Sequence, residues 1–305
     1  MPRRFYFGLS VVGFSYVSFI TSASSLVIFT LFCVGLIYVC EGVTNSLAGK
    51  SLLREIRRSK ANMLSFALAS VAGGLLMDGI AKFLGKLWIY PDWNLTFYLF
   101  SLVPGWALYW LLIAETYLAS KIFIDYISKG REIVNKTYKF ESRFYIILAL
   151  AGIVLLAIAV VGSFLGFVTQ DAPLVSVADL NSITVNYQIG FTYIILVCVG
   201  IFFLCEAVEY YRKQTSLLKN LLHGYFTPLL AITSGSVLTA ALMEIQNVPA
   251  SVWAYTNWPF PHWTLFGLPI LIFFIWPLHY IAFLSFFRAI TNRASNVIWQ
   301  GDTLP

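Results

Sequence analysis

Long apolar segments alternate with short polar ones along the whole chain. Eight apolar runs follow one another, and each approaches the roughly 20 residues that a helix needs to cross the hydrocarbon core of a bilayer. They cover residues 5–20, 24–41, 63–84, 97–120, 144–168, 189–210, 225–245 and 263–287. Only segment 21–25 separates the first two runs, so one bent helix in their place, and seven spans in all, is the alternative. The pattern predicts an all-α integral membrane protein with eight transmembrane helices.

Composition and charge support this interpretation and add an orientation. Hydrophobic residues make up 59% of the chain and charged residues 11%, against about 25% charged residues in an ordinary soluble domain. The net charge of +6 is concentrated in the short polar segments 50–60, 121–139 and 212–219 and after residue 287. By the positive-inside rule, we expect these segments and both termini to face the cytoplasm, in a cell membrane. The basic charge therefore indicates orientation and not a nucleic-acid partner.

One apolar segment occurs twice in the sequence. "CVGLIYVCEGV" at 33–43 returns as "CVGIFFLCEAV" at 198–208, an interval of 165 residues. The same interval relates Trp88, Tyr90, Trp93 and Pro104 to Trp253, Tyr255, Trp258 and Pro269. We interpret the chain as two tandem halves with the same orientation in the membrane.

The repeat also predicts domain boundaries. The first half covers 1–120 with four helices, a basic cytoplasmic linker covers 121–142, the second half covers 143–290 with four helices, and a cytoplasmic tail covers 291–305. Parallel repeats occur in transporters and in other helical bundles, so this topology does not by itself select a function.

Carboxylates at the ends of the repeated helix are the first candidates for chemistry. Glu41 and Glu206 occupy equivalent positions at helix C-termini, where the helix dipole disfavours a negative charge. An interfacial carboxylate that pairs with nearby Arg or Lys is the alternative for both. Glu115 lies near the inner end of a later span, where snorkelling to the interface competes with a catalytic role.

Two further acids are expected near the opposite face. Asp78 has Lys82 four residues later on the same helical face, so a helical ion pair is its alternative role. Glu244 has no cation nearby, and burial without a partner favours a neutral proton donor. Glu244 and Asp78 are therefore the candidate proton donors, with Glu41, Glu206 and Glu115 as further candidate catalytic groups.

Aromatic residues are dense in the two outer loops. An aromatic belt at the lipid headgroups accounts for many of them, and the alternative is a pair of walls over a cavity for a polyene, a lipid chain or a cation. The candidate ligand-binding residues are Trp88, Tyr90, Trp93, Trp253, Tyr255 and Trp258.

Metal and cofactor sites are not predicted. His223, His262 and His279 lack the spacing of a zinc or di-iron site. The four cysteines fall inside predicted spans, where close packing is favoured over redox or metal chemistry. No nucleotide-binding or nucleophile motif is present, and no motif decides whether the chain is an enzyme.

The repeated loops resemble a known membrane unit. "MDGIAKFLGKLWIYP" followed by "VPGWALYWLLIAE", and "WAY" followed by "GLPILIFFIWPL", are similar to the repeated unit of the lycopene-cyclase type of carotenoid biosynthesis, and the W-x-Y repeats also resemble uncharacterised bacterial polytopic proteins. The residues that match are Asp78, Gly85, Trp88, Tyr90, Pro104, Trp253, Tyr255 and Pro269. The family's paired glutamates are absent, because Gly105 and Trp106 follow Pro104 and Ile270 and Leu271 follow Pro269.

Three functions follow from these observations. The resemblance implies a protein that binds or acts on an isoprenoid, a carotenoid or another lipid between the halves, with aromatic faces and a proton-donating acid. A proton-coupled secondary transporter is the alternative, and a non-catalytic assembly subunit is the third. Membrane lipids are the other expected partners.

Overall fold

The structure is a computed structural model that describes most of the chain. The described residues are 3–20, 26–84, 87–90, 94, 96, 99–100, 103–128, 142–169, 188–214, 216–250, 252–256, 258–260, 263–266, 268–291 and 299. Almost all of them are helical.

The helices are α1 (Arg3–Ile20), α2 (Leu26–Ala48), α3 (Leu52–Arg57), α4 (Lys60–Asp78), α5 (Val103–Ser128), α6 (Ser142–Thr169), α7 (Gln188–Tyr211), α8 (Leu217–Leu222), α9 (Thr227–Ala250) and α10 (Ile272–Thr291). A π-helical turn (Gly79–Leu84) extends α4. The strands are β1 (Trp88–Ile89), β2 (Ala254–Tyr255), β3 (Thr264–Leu265) and β4 (Leu268–Pro269).

Within the described residues, seven helices are long and apolar enough to cross a membrane. They are α2, α4, α5, α6, α7, α9 and α10. Helix α6 has large apolar side chains such as Ile147, Leu150 and Leu165 exposed along its length, which is the surface that lipid would cover. The chain is therefore an all-α integral membrane protein.

Helix α1 is a separate helix that packs antiparallel on α2. An added Cβ atom at Gly8 would lie 2.7 Å from the Gly35 carbonyl oxygen, and one at Gly42 would lie 2.7 Å from the Cβ atom of Phe5. Small residues let the two backbones approach this closely. The first two runs therefore form two helices and not one bent helix, whereas the seven spans of that alternative agree with the seven span candidates among the described residues.

Two short helices are capped in the same way. The Ser51 hydroxyl accepts from the Arg54 N–H at 3.1 Å before α3, and the Ser216 hydroxyl accepts from the Lys219 N–H at 3.2 Å before α8. Each cap satisfies a backbone donor that the helix itself leaves unpaired. The end of the bundle that holds α3 and α8, and the last turns of α2, α5, α7 and α10, is called the basic end below.

Two predicted segments have different bounds in the structure. Helix α5 continues to Ser128, so the expected linker from residue 121 begins inside a helix. The last span begins at Ile272 and not at 263, because β3 (Thr264–Leu265) and β4 (Leu268–Pro269) precede it and pair antiparallel. Pro269 lacks a backbone N–H and favours an extended conformation in the residue before it.

The bundle has a continuous pattern of helix contacts. Helix α1 packs on α2, α2 on α5, and α5 on both α4 and α9. Helix α6 packs on α7, α7 on α10, and α10 on both α9 and α4. Trp110, Phe283 and Phe287 pack together where α5 meets α10.

Strands β1 and β2 pair with each other at the end opposite the basic end. They pair antiparallel, with Trp88 opposite Tyr255 and Ile89 opposite Ala254. This two-stranded ribbon connects the segment after α4 to the segment after α9, and the end that carries it is called the ribbon end.

Candidate functional site

An aromatic cavity lies beside the ribbon, between the helices of the bundle. Its volume is about 210 Å³, and its walls include ten aromatic side chains, six of them tryptophans. Helices α2, α4, α5, α7, α9 and α10 and both strands of the ribbon contribute to the walls. Most of the wall is apolar, and Asp78 is a carboxylate within it.

Asp78 is held by the first W-x-Y segment. It lies at the last position of α4 and is 3% exposed. The Trp88 indole N–H donates to Asp78 Oδ1 at 3.2 Å, and the Tyr90 hydroxyl donates to the same oxygen at 3.1 Å. The ammonium group of Lys82, the residue predicted to pair with Asp78, lies 4.6 Å from the centre of the Tyr90 ring.

Glu244 is held by the second W-x-Y segment. It is 1% exposed, and its oxygens accept from the Tyr255 hydroxyl and, at 3.2 Å, from the Asn247 amide. The sequence did not predict these donors, which stabilise the acid without a cation.

The ribbon fixes both W-x-Y segments relative to each other. The Leu87 carbonyl accepts from the Thr256 N–H at 3.0 Å and from the Trp258 indole at 2.8 Å. The Asn247 amide both donates to the Trp253 carbonyl and accepts from its N–H, at 3.0 and 3.1 Å. The aromatic walls are therefore positioned by backbone contacts.

Two groups beside the cavity have shifted pKa values. Burial, and then the charge of Glu244, raise the pKa of Tyr255 well above its ordinary value of 10.0, so that its hydroxyl stays a donor. Burial lowers the pKa of Lys82 from 10.5, and the charge of Asp78 opposes that shift.

The floor of the cavity comes from α5 and α10. Trp106, Tyr109 and Trp110 lie on one face of α5, and Trp276 and His279 lie on one face of α10. The Tyr109 hydroxyl is 3.5 Å from His279 Nδ1. Sequence reasoning missed these five residues, although their spacing of three and four residues is that of a single helical face.

Glu41 and Glu115 lie at the basic end, away from the cavity. Glu41 accepts from Arg4 at 3.0 Å and from the Ser51 hydroxyl. Glu115 is fully buried and adjoins Glu41, so it does not snorkel to an interface.

Glu206 occupies the equivalent place at the end of α7. It accepts from the Leu217 and Leu218 backbone N–H groups at 3.0 and 3.1 Å. Nearby, Arg288 donates to Glu209 at 3.1 Å, and both side chains are buried. The buried Glu209–Arg288 pair was not predicted.

The structure therefore divides the predicted site residues into two groups. Asp78, Trp88, Tyr90, Trp253, Tyr255 and Trp258 line the cavity, with Glu244 bonded to one of them. Glu41, Glu115 and Glu206 do not line it. Trp93 lies outside the described residues, and so does His262.

Metal binding finds no support in the described part of the chain. It contains no group of three or more His, Cys, Asp or Glu side chains that could hold a metal ion. All four cysteines are free thiols, and Cys33 lines the cavity.

Comparisons with known protein families, curated proteins and solved structures found no match to this chain.

Proposed function

We propose that this chain consists of two tandem halves that cross the membrane in the same orientation, and that it binds the end of an isoprenoid or similar lipid between them. The aromatic cavity between the halves, with a buried carboxylate in its wall, is the observation that carries the ligand proposal.

Equivalent contacts support the tandem repeat. Gly8 approaches the Gly35 carbonyl as Gly152 approaches the Gly200 carbonyl, with added Cβ atoms at 2.7 and 2.8 Å. The α1–α2 pair thus has the same close packing as the α6–α7 pair. Since α6 is a span candidate, its counterpart α1 is proposed as the eighth span.

The strand pairing in the ribbon is the pairing expected if a two-fold axis relates the two proposed halves. Ile89 pairs with Ala254, its own equivalent at an interval of 165 residues, and Trp88 pairs with Tyr255, the equivalent of Tyr90. A two-fold axis along the membrane normal would pass between Ile89 and Ala254. With Arg3 and Arg4 beside the basic end, both termini are proposed to be cytoplasmic.

The size of the cavity limits what it holds. A cavity of about 150 Å³ is large enough for a benzene ring, so 210 Å³ accommodates a ring or the first isoprene units. The rest of a long isoprenoid would extend between helices into the lipid. Ring faces of tryptophan would also stabilise a positive charge on the ligand.

Asp78 is the acid best placed to act on such a ligand. It lines the cavity, whereas Glu244 lies behind Tyr255. Asp78 would orient the ligand or donate a proton to it if the chain is an enzyme. The paired glutamates of the lycopene-cyclase type are absent from this chain. The geometry of the cavity therefore supports the binding of a ligand, which is the central part of this proposal.

Occlusion of the cavity tests the proposal. Gly105 lines the cavity, and a Cβ atom there would meet nothing within 4 Å, so Gly105→Leu should fill the cavity without displacing the backbone. We expect retinol to accept energy from tryptophan in the wild-type protein in nanodiscs, and we expect at least a tenfold weaker affinity for Gly105→Leu.

The matched control is Gly13→Leu, because Gly13 is exposed in α1 and also meets nothing within 4 Å. It should bind retinol like the wild type. Equal retinol affinity in all three proteins would reject the cavity as the ligand site. Organic extraction of the purified protein, followed by mass spectrometry, would identify a natural ligand.

A further inference from the structure

The floor of the cavity contains two buried nitrogen atoms that have no hydrogen-bond partner among the residues that the structure describes. They are His279 Nε2 and Trp110 Nε1, and their side chains are 3% and 1% exposed. Buried polar groups in proteins are nearly always paired, so each exception calls for an explanation.

The two side chains are neighbours in the bundle. The ring centres of Trp110 and His279 are 5.6 Å apart in an edge-to-face arrangement, and both residues line the cavity. One ligand in this part of the cavity could therefore contact both side chains.

Both nitrogen atoms can act as hydrogen-bond donors. The indole N–H can only donate. If the Tyr109 hydroxyl donates to His279 Nδ1, across the 3.5 Å between them, then the imidazole proton is on Nε2. That tautomer is an assignment from the hydrogen-bond geometry.

A trapped water molecule is a poor partner for these donors. A buried water needs two to four polar partners, and the surrounding side chains of Trp276 and Phe283 are aromatic. An oxygen atom carried by an apolar ligand would satisfy the donors and fill the space at once.

We infer that the ligand of this cavity is a ring that carries a carbonyl oxygen, as in a prenyl quinone or a keto-substituted isoprenoid, and that His279 and Trp110 bind this oxygen. This inference rests on the proposed function and narrows its ligand class. The aromatic walls would stack on the ring, and the prenyl tail would lie in the lipid.

Two ligands with one skeleton test the inference. The probes are 2-methyl-1,4-naphthoquinone and 2-methylnaphthalene, which differ in the two carbonyl oxygens. Their affinities for the full-length protein in nanodiscs are compared by equilibrium dialysis. We expect the quinone to bind roughly tenfold more tightly than the hydrocarbon, as one or two added hydrogen bonds would give.

Two variants assign the preference to residues. His279→Phe and Trp110→Phe remove the donors and keep an aromatic ring, so each should reduce the quinone preference to about twofold or less. Binding of 2-methylnaphthalene should stay within about twofold of wild type, which also shows that the cavity is folded. His223→Phe, at the basic end, is the matched control and should keep the preference.

The outcomes separate the two proposals. Equal affinity of the wild-type protein for both probes, or a quinone preference that survives in both variants, would overturn the carbonyl inference alone. Failure of both probes to bind would count against the proposed function, and the carbonyl inference would fall with it.

Discussion

Tyr255 donates a hydrogen bond to a buried carboxylate that has no salt bridge within the described residues. Its hydroxyl donates to Glu244, which also accepts from the Asn247 amide. Because Glu244 is buried, each of these donors replaces water that the carboxylate has lost. The Tyr90 hydroxyl donates to Asp78 in the same way.

Removal of the Tyr255 hydroxyl should therefore destabilise the protein. We expect Tyr255→Phe to lower the free energy of unfolding by about 1–3 kcal/mol, because a buried acceptor loses a partner. Thermal unfolding in detergent measures the change. Tyr126→Phe is the control, because Tyr126 is 65% exposed and should change stability by less than about 0.5 kcal/mol. Equal effects of the two changes would contradict the role of Tyr255.

Glu41 and Glu115 pose the opposite problem, two buried acids side by side. Arg4 and Ser51 contact one oxygen of Glu41, whereas the other oxygen and both oxygens of Glu115 have no donor among the described residues. Two negative charges in this place would repel each other strongly.

Glu115→Gln should accordingly be tolerated. The amide removes one potential charge and provides a donor for Glu41, so we expect the free energy of unfolding to stay unchanged or to rise by up to about 1.5 kcal/mol. Arg4→Gln removes the cation and should lower stability instead. Thermal unfolding of both variants checks this, and marked destabilisation by Glu115→Gln would show that both charges are required.

At the scale of elements, α4 meets α5 through glycine. A Cβ atom at Gly74 would lie 2.2 Å from the Trp106 ring, and one at Gly73 would lie 3.2 Å from the Trp110 ring. The two glycines therefore allow the indoles that form the cavity wall to lie flat against α4.

Gly74→Ala should disturb this contact and the cavity together. The added methyl group forces Trp106 to move, which should lower the free energy of unfolding by about 1–3 kcal/mol and weaken retinol binding. Gly79→Ala is the control, since an added Cβ atom there meets nothing within 4 Å. Thermal unfolding and retinol energy transfer measure the two effects. Unchanged stability and binding in Gly74→Ala would mean that Trp106 relaxes freely.

The sequence predicted the positions of the helices better than it predicted which helices pack together. Hydrophobic patterning located the seven span candidates, and the interval of 165 residues identified the two W-x-Y segments before any geometry was known. It did not decide between a bent helix and the α1–α2 hairpin, because close contacts such as Gly8 on Gly35 depend on how separate helices pack. Pattern alone also placed the start of the last span nine residues before Ile272.

The sequence predicted only part of the site, and the physical reason is similar. Asp78 and the W-x-Y residues stand out as polar or repeated in an apolar chain. Trp106, Trp110 and His279 do not, because aromatic residues on a membrane helix are usually packing residues. Only the three-dimensional arrangement shows that they face a common space.

At the scale of the whole molecule, the number of spans decides the topology. Helix α1 packs along α2, and the proposal of eight spans places segment 21–25 on the side of the membrane opposite the basic end. The proposed cytoplasmic position of both termini depends on that arrangement.

Site-directed labelling tests this topology. In a background without the four native cysteines, Ser22→Cys should react with a membrane-impermeant maleimide added to intact cells, and Pro2→Cys should react only after lysis. The reason is that a span between residues 4 and 20 separates the two positions. Reaction of both positions in intact cells would exclude α1 as a span, and equal expression of both variants is the control.

The β1–β2 ribbon holds two chain segments together at the ribbon end, and this contact limits the routes by which a ligand could reach the cavity. Alternating access requires the segments around a site to part at each face in turn, but here backbone hydrogen bonds tie the segments after α4 and α9 together at the ribbon end. The lipid of the proposed function would therefore enter laterally from the hydrocarbon, with its ring first and its tail still in the bilayer.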